Sequence, residues 1–117
     1  MPRMDIAGRG LIENIEALVA HTVSGDNGGS PGWGAVSTIR AQLNVTAVSG
    51  SAPTLDVIFE DTLDGTNWNT IGTLTQKNTT GREVIDITAP FSDTVRASWI
   101  ISGTDPSFTF SVDVYSE

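Results

Sequence analysis

Apolar and polar residues alternate one by one over long stretches of this chain. From Ala35 to Val48, the residues Ile39, Ala41, Leu43, Val45 and Ala47 fall on one side, and Arg40, Gln42, Asn44 and Thr46 on the other. A period of two is what a half-buried strand requires. Leu55, Val57 and Phe59 repeat the pattern after the loop Ser49-Gly50-Ser51-Ala52-Pro53, and the two runs read as a hairpin. Shorter strands are expected at Glu16–Val23, Trp68–Leu74 and Arg82–Thr88. The last two, Thr94–Ile101 and Ser107–Tyr115, place Val95, Ala97, Trp99 and Ile101 on one face and Phe108, Phe110, Val112 and Val114 on another. Ser102-Gly103-Thr104-Asp105-Pro106 joins them as a second hairpin loop.

Between the strands lie Gly-, Asp-, Asn- and Pro-rich turns, at the spacing of a sandwich or barrel. The longest, Ser24 to Gly32, reads as a loop closed by Trp33-Gly34. No helical pattern separates the strands, which argues against alternating α/β architecture. The expected fold is an all-β, single-domain antiparallel β-sandwich or jelly-roll-like barrel of about seven to eight strands. The two Ser-Gly-x-x-Pro loops echo each other. Shared turn chemistry and a true internal duplication both account for this, and Pro marks where the second strand begins because it cannot donate to a ladder.

Residues 1–15 break the alternation. Ile6, Leu11, Ile12 and Ile15 sit among Pro2, Gly8 and Gly10, and Leu11–Val19 has material for one or two helical turns, too few to persist alone. These residues read as an N-terminal arm that orders against a partner, and residues 16–117 as the β domain. Residues 1–12 are weakly basic, with Arg3 and Arg9 against Asp5, while the body, the rest of the chain, is strongly acidic, giving a net charge of −8. Such a body repels nucleic acid and anionic lipid, and neither is an expected partner. With one Lys there is no basic stripe for nucleic acid.

Composition agrees with strands. Thr, Val and Ile number 35, against 21 for Leu, Ala, Glu and Lys together. A chain of 117 residues buries enough surface to fold without staples. Having no Cys, it has no disulfides, thiolate metal sites or Cys nucleophiles. No apolar run reaches the length of a membrane span, and no signal peptide is expected at the start.

Materials for catalysis are scarce. His21 is the only His, at strand spacing from Val19 and Val23, and reads as structural. No nucleophile elbow, paired-His motif or phosphate loop is present. Carboxylates such as Glu60-Asp61 read as solvated turn and edge charges rather than a glycosidase pair. Asp61, Asp64 and Asn67 cluster around Gly65 but miss the calcium-loop spacing, and Asp64-Gly65 forms a turn without any ion. No metal and no cofactor is expected. Trp99 shares the apolar side of its strand and reads as core, whereas Trp33 and Trp68 border loops and are candidates for a glycan-facing platform.

The runs Leu43–Asp61 and Asp64-Gly-Thr-Asn-Trp-Asn-Thr-Ile71, the corner Ala89–Arg96 and the ending Trp99–Val114 together resemble tailed-bacteriophage capsid decoration (cement, head-stabilisation) proteins, over about residues 16–115. That resemblance implies a non-catalytic structural protein of the virion. It would sit on the outer capsid surface, often as a homotrimer, and clamp neighbouring major capsid protein subunits. The arm lies outside the resemblance; Arg3, Ile6, Arg9, Leu11 and Ile12 are its expected partner contacts. The rival readings are a carbohydrate-binding β-sandwich module displayed on a surface, and a tail or head-completion structural protein.

Overall fold

The computed structural model describes residues 11–117, of which Leu11 is described by its backbone alone. It is all-β. The strands are β1 (Leu11–His21), β2 (Gly25–Asp26), β3 (Thr38–Thr62), β4 (Trp68–Thr73), β5 (Gly81–Thr88) and β6 (Thr94–Ser116), with one 3-10 turn at Trp33–Ala35 and no α-helix among the described residues.

Two strands of 25 and 23 residues, β3 and β6, dominate the fold. They run antiparallel along almost their whole length, from Ile39 opposite Ser116 to Thr62 opposite Thr94. This ribbon folds back on itself. Trp99 and Phe110 lie eleven residues apart in β6, which extended backbone would separate by roughly 36 Å, yet their ring centroids are 5.4 Å apart. Folding the ribbon makes two layers. One holds β5, the first half of β3, the second half of β6, and β1; the other holds β4, the second half of β3, the first half of β6, and β2. All pairings are antiparallel.

The expected hairpins are therefore corners. Ser49–Pro53 does not reverse the chain onto itself, because Leu43 pairs with Val112 and Leu55 with Ile101, both in β6. The two Ser-Gly-x-x-Pro segments face one another across the fold of the ribbon, with Ser51 opposite Thr104. Each has a glycine with positive φ (Gly50 +110°, Gly103 +123°) followed two residues later by a left-handed residue (Ala52, Asp105). A Cβ on Gly50 would sit 2.7 Å from the Asp105 carbonyl oxygen, and one on Gly103 would sit 2.9 Å from Pro53 Cα. The sequence echo is thus a pair of matching bends that touch.

The alternation places the core where the two layers meet. Ile39, Leu43, Val45, Leu55, Val57 and Phe59 of β3, and Val95, Ala97, Trp99, Phe108, Phe110, Val112 and Val114 of β6, are buried. Each large apolar side chain buried this way contributes about 1.5–3 kcal/mol. Ala47, expected on the inner side, is exposed, because a register shift between Val45 and Ala47 ends the alternation as the corner approaches.

β1 is a further correction. It starts at Leu11 rather than Glu16, and the helical turns expected over Leu11–Val19 do not form; this stretch pairs with the second half of β6. Two register shifts, between Asn14 and Glu16 and between Glu16 and Val19, give its apolar residues a helix-like spacing. The Gly-rich loop is also more ordered than a loop. Asn27 and Ser30 donate backbone hydrogen bonds to Ala97 and Val95, extending the edge that β2 begins.

Candidate functional site

Three surfaces and one buried cluster hold chemistry beyond the core. The first surface is the flank formed by β1, an edge strand paired only with β6 among the described strands. Ile12 (78% exposed), Leu18, Val19 and Val23 (72% exposed) project from it and the turn that follows. These four make up half of the large exposed apolar residues, all within a dozen positions. Edge strands with exposed apolar side chains are ready-made sites for association.

The second surface is the outer face of the sheet β5–β3–β6–β1. Cross-strand pairing lays its residues out in rows. One row runs Ile12, Tyr115, Arg40, Asp86, and the next runs Asn14, Asp113, Gln42, Val84. Ile12, Val84, Arg40, Gln42 and Tyr115 line a shallow concavity of about 300 Å³. A neighbouring one of about 440 Å³ shares Arg40 and Tyr115 and continues to Thr38, Thr88 and Glu117.

Several polar groups of this face pair with one another. Arg40 donates from Nε to Asp86 Oδ1 at 2.8 Å and from a terminal nitrogen to Oδ2 at 3.3 Å. Asn14 donates to Asp113 Oδ1 at 2.9 Å, and the Tyr115 hydroxyl to Glu117 Oε2 at 3.0 Å. The Arg40 hydrogen bond holds the Asp86 carboxyl below the usual carboxylate range. The Glu117 carboxylate, accepting from the phenol, raises the Tyr115 hydroxyl above its ordinary value.

The third surface is the outer face of the second sheet. Arg96 lies over the Trp68 ring at 4.0 Å and donates to Glu60 at 2.9 Å and to Asp26 at 3.2 Å. It ties β2 and β4 to the middle of the sheet and covers the indole with a cation.

The buried cluster surrounds His21. Its ring stacks on Phe110 (3.8 Å between centroids, 19° between planes) and meets Trp99 edge-on, and Nε2 lies 2.7 Å from Glu16 Oε2. Nδ1 is buried without a hydrogen-bond partner. With the ring packed between aromatics, this geometry offers no approach for a substrate.

The residues singled out from the sequence are scattered. Arg3, Ile6 and Arg9 lie outside the described residues. Leu11 opens β1 opposite Ser116, and Ile12 is exposed beside the Tyr115 concavity. Trp33 does not face a ligand: it is 1% exposed, in the core. The loop before it is zipped onto β6, Trp33 N donates to Asp93 O, and its indole N–H donates to Ser30 Oγ, so the ring is carried inward with its polar handle satisfied. Trp68 is half-buried beneath Arg96. Asp61 and Asp64 do not converge. Buried Asp61 accepts from Ser92 N at 2.7 Å, while Asp64 accepts from Thr66 N, Asn67 N and the Asn67 amide. The backbone N–H groups of Asn67 and Thr66 hold the Asp64 carboxyl far below the usual carboxylate range. Among the described residues no three His, Asp or Glu side chains group so as to hold a metal ion.

Tyr115, Val84 and Asp86 were not singled out in advance. Their signal was present, since Tyr115 is out of phase with Phe108–Val114 and Val84 pairs with outward Gln42, but it becomes readable only once the register is known.

No family model matches the sequence, and neither does any curated protein. Solved structures share the fold. The PBSX exported protein XepA superimposes over 98% of this chain with a TM-score of 0.57 and 12% identity, and this chain spans 39% of that protein. The CBM36-1 domain of a multidomain xylanase from the hindgut metagenome of Trinervitermes trinervoides superimposes over 93% of this chain and 98% of its own, with a TM-score of 0.54 and 8% identity. At such identities the likeness is one of β-sandwich fold.

Proposed function

We propose that this chain is a non-catalytic structural protein that docks on the outside of a phage capsid and clamps neighbouring major capsid protein subunits, acting as a homotrimer. The observation that carries the reading is the β1 flank, where Ile12, Leu18, Val19 and Val23 hold apolar surface in water on an edge strand. Arg3, Ile6, Arg9 and Leu11 are the further partner contacts of this reading. The resemblance of residues 16–115 to capsid decoration proteins names the partner. A rigid sandwich suits a clamp, and many equivalent sites on one shell convert weak single contacts into strong collective ones. The acidic body keeps free copies apart.

The test is cryo-electron microscopy of shells incubated with the purified chain. Extra density at three-fold positions, together with shells that survive hotter treatment, is expected; bare shells at saturating protein refute the reading. Because β1 begins at Leu11, the arm is tested by deleting residues 1–10, which leaves the strand whole. Leu18→Glu combined with Val23→Glu tests the flank, and occupancy equal to wild type removes it from the interface.

A further inference from the structure

We infer that the outer face of the β5–β3–β6–β1 sheet binds a neutral polysaccharide chain laid over Tyr115. This activity does not depend on capsid docking, although Ile12 borders both surfaces. A pyranose ring has an apolar face of C–H groups and a rim of hydroxyls that both donate and accept. Its complement is an aromatic ring flanked by planar hydrogen-bonding groups, and the cross-strand register builds that set. Tyr115, 38% exposed, has Ile12 on one side and Arg40 on the other, with Gln42 and Asp113 one row along.

Several of these groups already pair with one another at the surface. Asp86 fixes the Arg40 guanidinium by two hydrogen bonds, Asn14 fixes Asp113, and Glu117 fixes the Tyr115 hydroxyl. Preordered groups lose little side-chain entropy on binding. Each of these carboxylates and amides retains further lone pairs or N–H groups for sugar hydroxyls.

Shape and charge narrow the ligand. The two concavities meet at Arg40 and Tyr115 and are open rather than enclosed. Four strands spaced about 4.8 Å apart make a floor roughly 14 Å across. A small molecule would stay largely in water there, whereas an extended polymer gains contacts along its length. Asp86, Asp113 and Glu117 outnumber Arg40 on this face, and the whole chain carries −8, so polyanions are repelled.

Amide NMR titration of the full chain tests the inference, with β-linked oligosaccharides of glucose, xylose and N-acetylglucosamine as probes and polygalacturonate as the charged comparison. At least one neutral probe is expected to shift the Arg40 Nε–H, the Gln42 side-chain amide and the Tyr115 backbone amide in a saturable way. Tyr115→Ala is expected to weaken that binding about tenfold, Tyr115→Phe to retain most of it, and Trp68→Ala to leave it unchanged. Tyr115 is partly exposed, so both of its variants are expected to fold, which the dispersion of the same spectra checks. No saturable shift with any neutral probe overturns the inference. So do shifts centred on Trp68, wild-type affinity in Tyr115→Ala, and tighter binding of polygalacturonate than of every neutral probe.

Discussion

The corner where β3 and β6 fold over rests on two glycines, and replacing either with alanine measures how tightly the ribbon is creased. Gly50 and Gly103 have φ of +110° and +123°, which L residues rarely adopt. Holding a side chain in such a region costs about 1–3 kcal/mol. The space is also occupied. The Gly50 Cβ would meet Asp105 O, Pro106 Cα and Thr104 O at 2.7–3.0 Å, and the Gly103 Cβ would meet Pro53 Cα, Ala52 O and Ser51 O at 2.9–3.0 Å. All six atoms are backbone, so relief requires the two bends to move apart. Strain and overlap together are expected to remove about 3–4 kcal/mol, a large fraction of the 5–15 kcal/mol typical of a domain. In a chain of this size that lowers the melting temperature by about 12–16 °C. Gly65→Ala is the control. Its φ is +82° with nothing within 4 Å of the new Cβ, so it carries backbone strain alone and loses about 1 kcal/mol. Because the bends face each other, one opening accommodates both side chains, and the double variant should lose less than the sum of the singles. Thermal unfolding followed by circular dichroism decides the matter. If Gly50→Ala and Gly103→Ala melt within about 2 °C of Gly65→Ala, or if the double variant is additive, the bends do not touch as described.

Phe110→Ala should cost about 3–5 kcal/mol, because the ring is fully buried between His21 and Trp99, and the urea midpoint should fall with an unchanged slope. Arg96→Ala uncovers Trp68 and leaves Glu60 and Asp26 without their cation; tryptophan emission should shift to the red, and the Asn27 and Ser30 amides should exchange faster. Acid should destabilise the fold through Asp64, Asp86 and Glu83. Burial pushes the Glu83 carboxyl up, but the Lys77 ammonium and the Thr75 N–H outweigh it, so all three titrate lower folded than unfolded. Their contribution is complete above the usual carboxylate range and is lost as pH falls through the depressed folded values, because the unfolded chain then binds more protons. Asp64→Asn should flatten that acid limb in pH-dependent urea melts, and an unchanged limb refutes the assignment.

What could be read in advance was local. The alternation of Ile39, Leu43 and Val45, and of Phe108, Phe110, Val112 and Val114, marks the core faces, and β4 and β5 fall where turn signals bracket them. A hairpin loop and a corner were indistinguishable, because a glycine at positive φ and a proline at the strand restart fit either; what differs is which strand lies alongside, and that is set about fifty residues away in sequence. β1 was misread because its register shifts give strand residues the spacing of a helix. Trp33 was misread because a Gly-rich segment signals a loop, while its backbone groups are engaged with β6.

The folded ribbon explains which residues are left on the surface. Since β3 and β6 supply the centre of both layers, their inward residues are committed to a shared core, and only outward residues are left for binding. On the second sheet the outward aromatic, Trp68, is covered by Arg96, and Arg96 is itself neutralised by Glu60 and Asp26. Ile100 stays exposed on that face, but the aromatic ring there is covered by the face's own side chains. On the first sheet Tyr115, Val84 and Ile12 break the outward polar pattern, with Val84 46% exposed and no cation covering Tyr115 from above among the described contacts. Apolar surface held in water opposes solubility and adds nothing to the core, so its cost is offset only when something covers it. Leu63, in the turn before β4, and Ile100, on the second sheet, are exposed too, but six of the eight large exposed apolar residues among those described lie on the first sheet's outer face and the adjoining β1 flank.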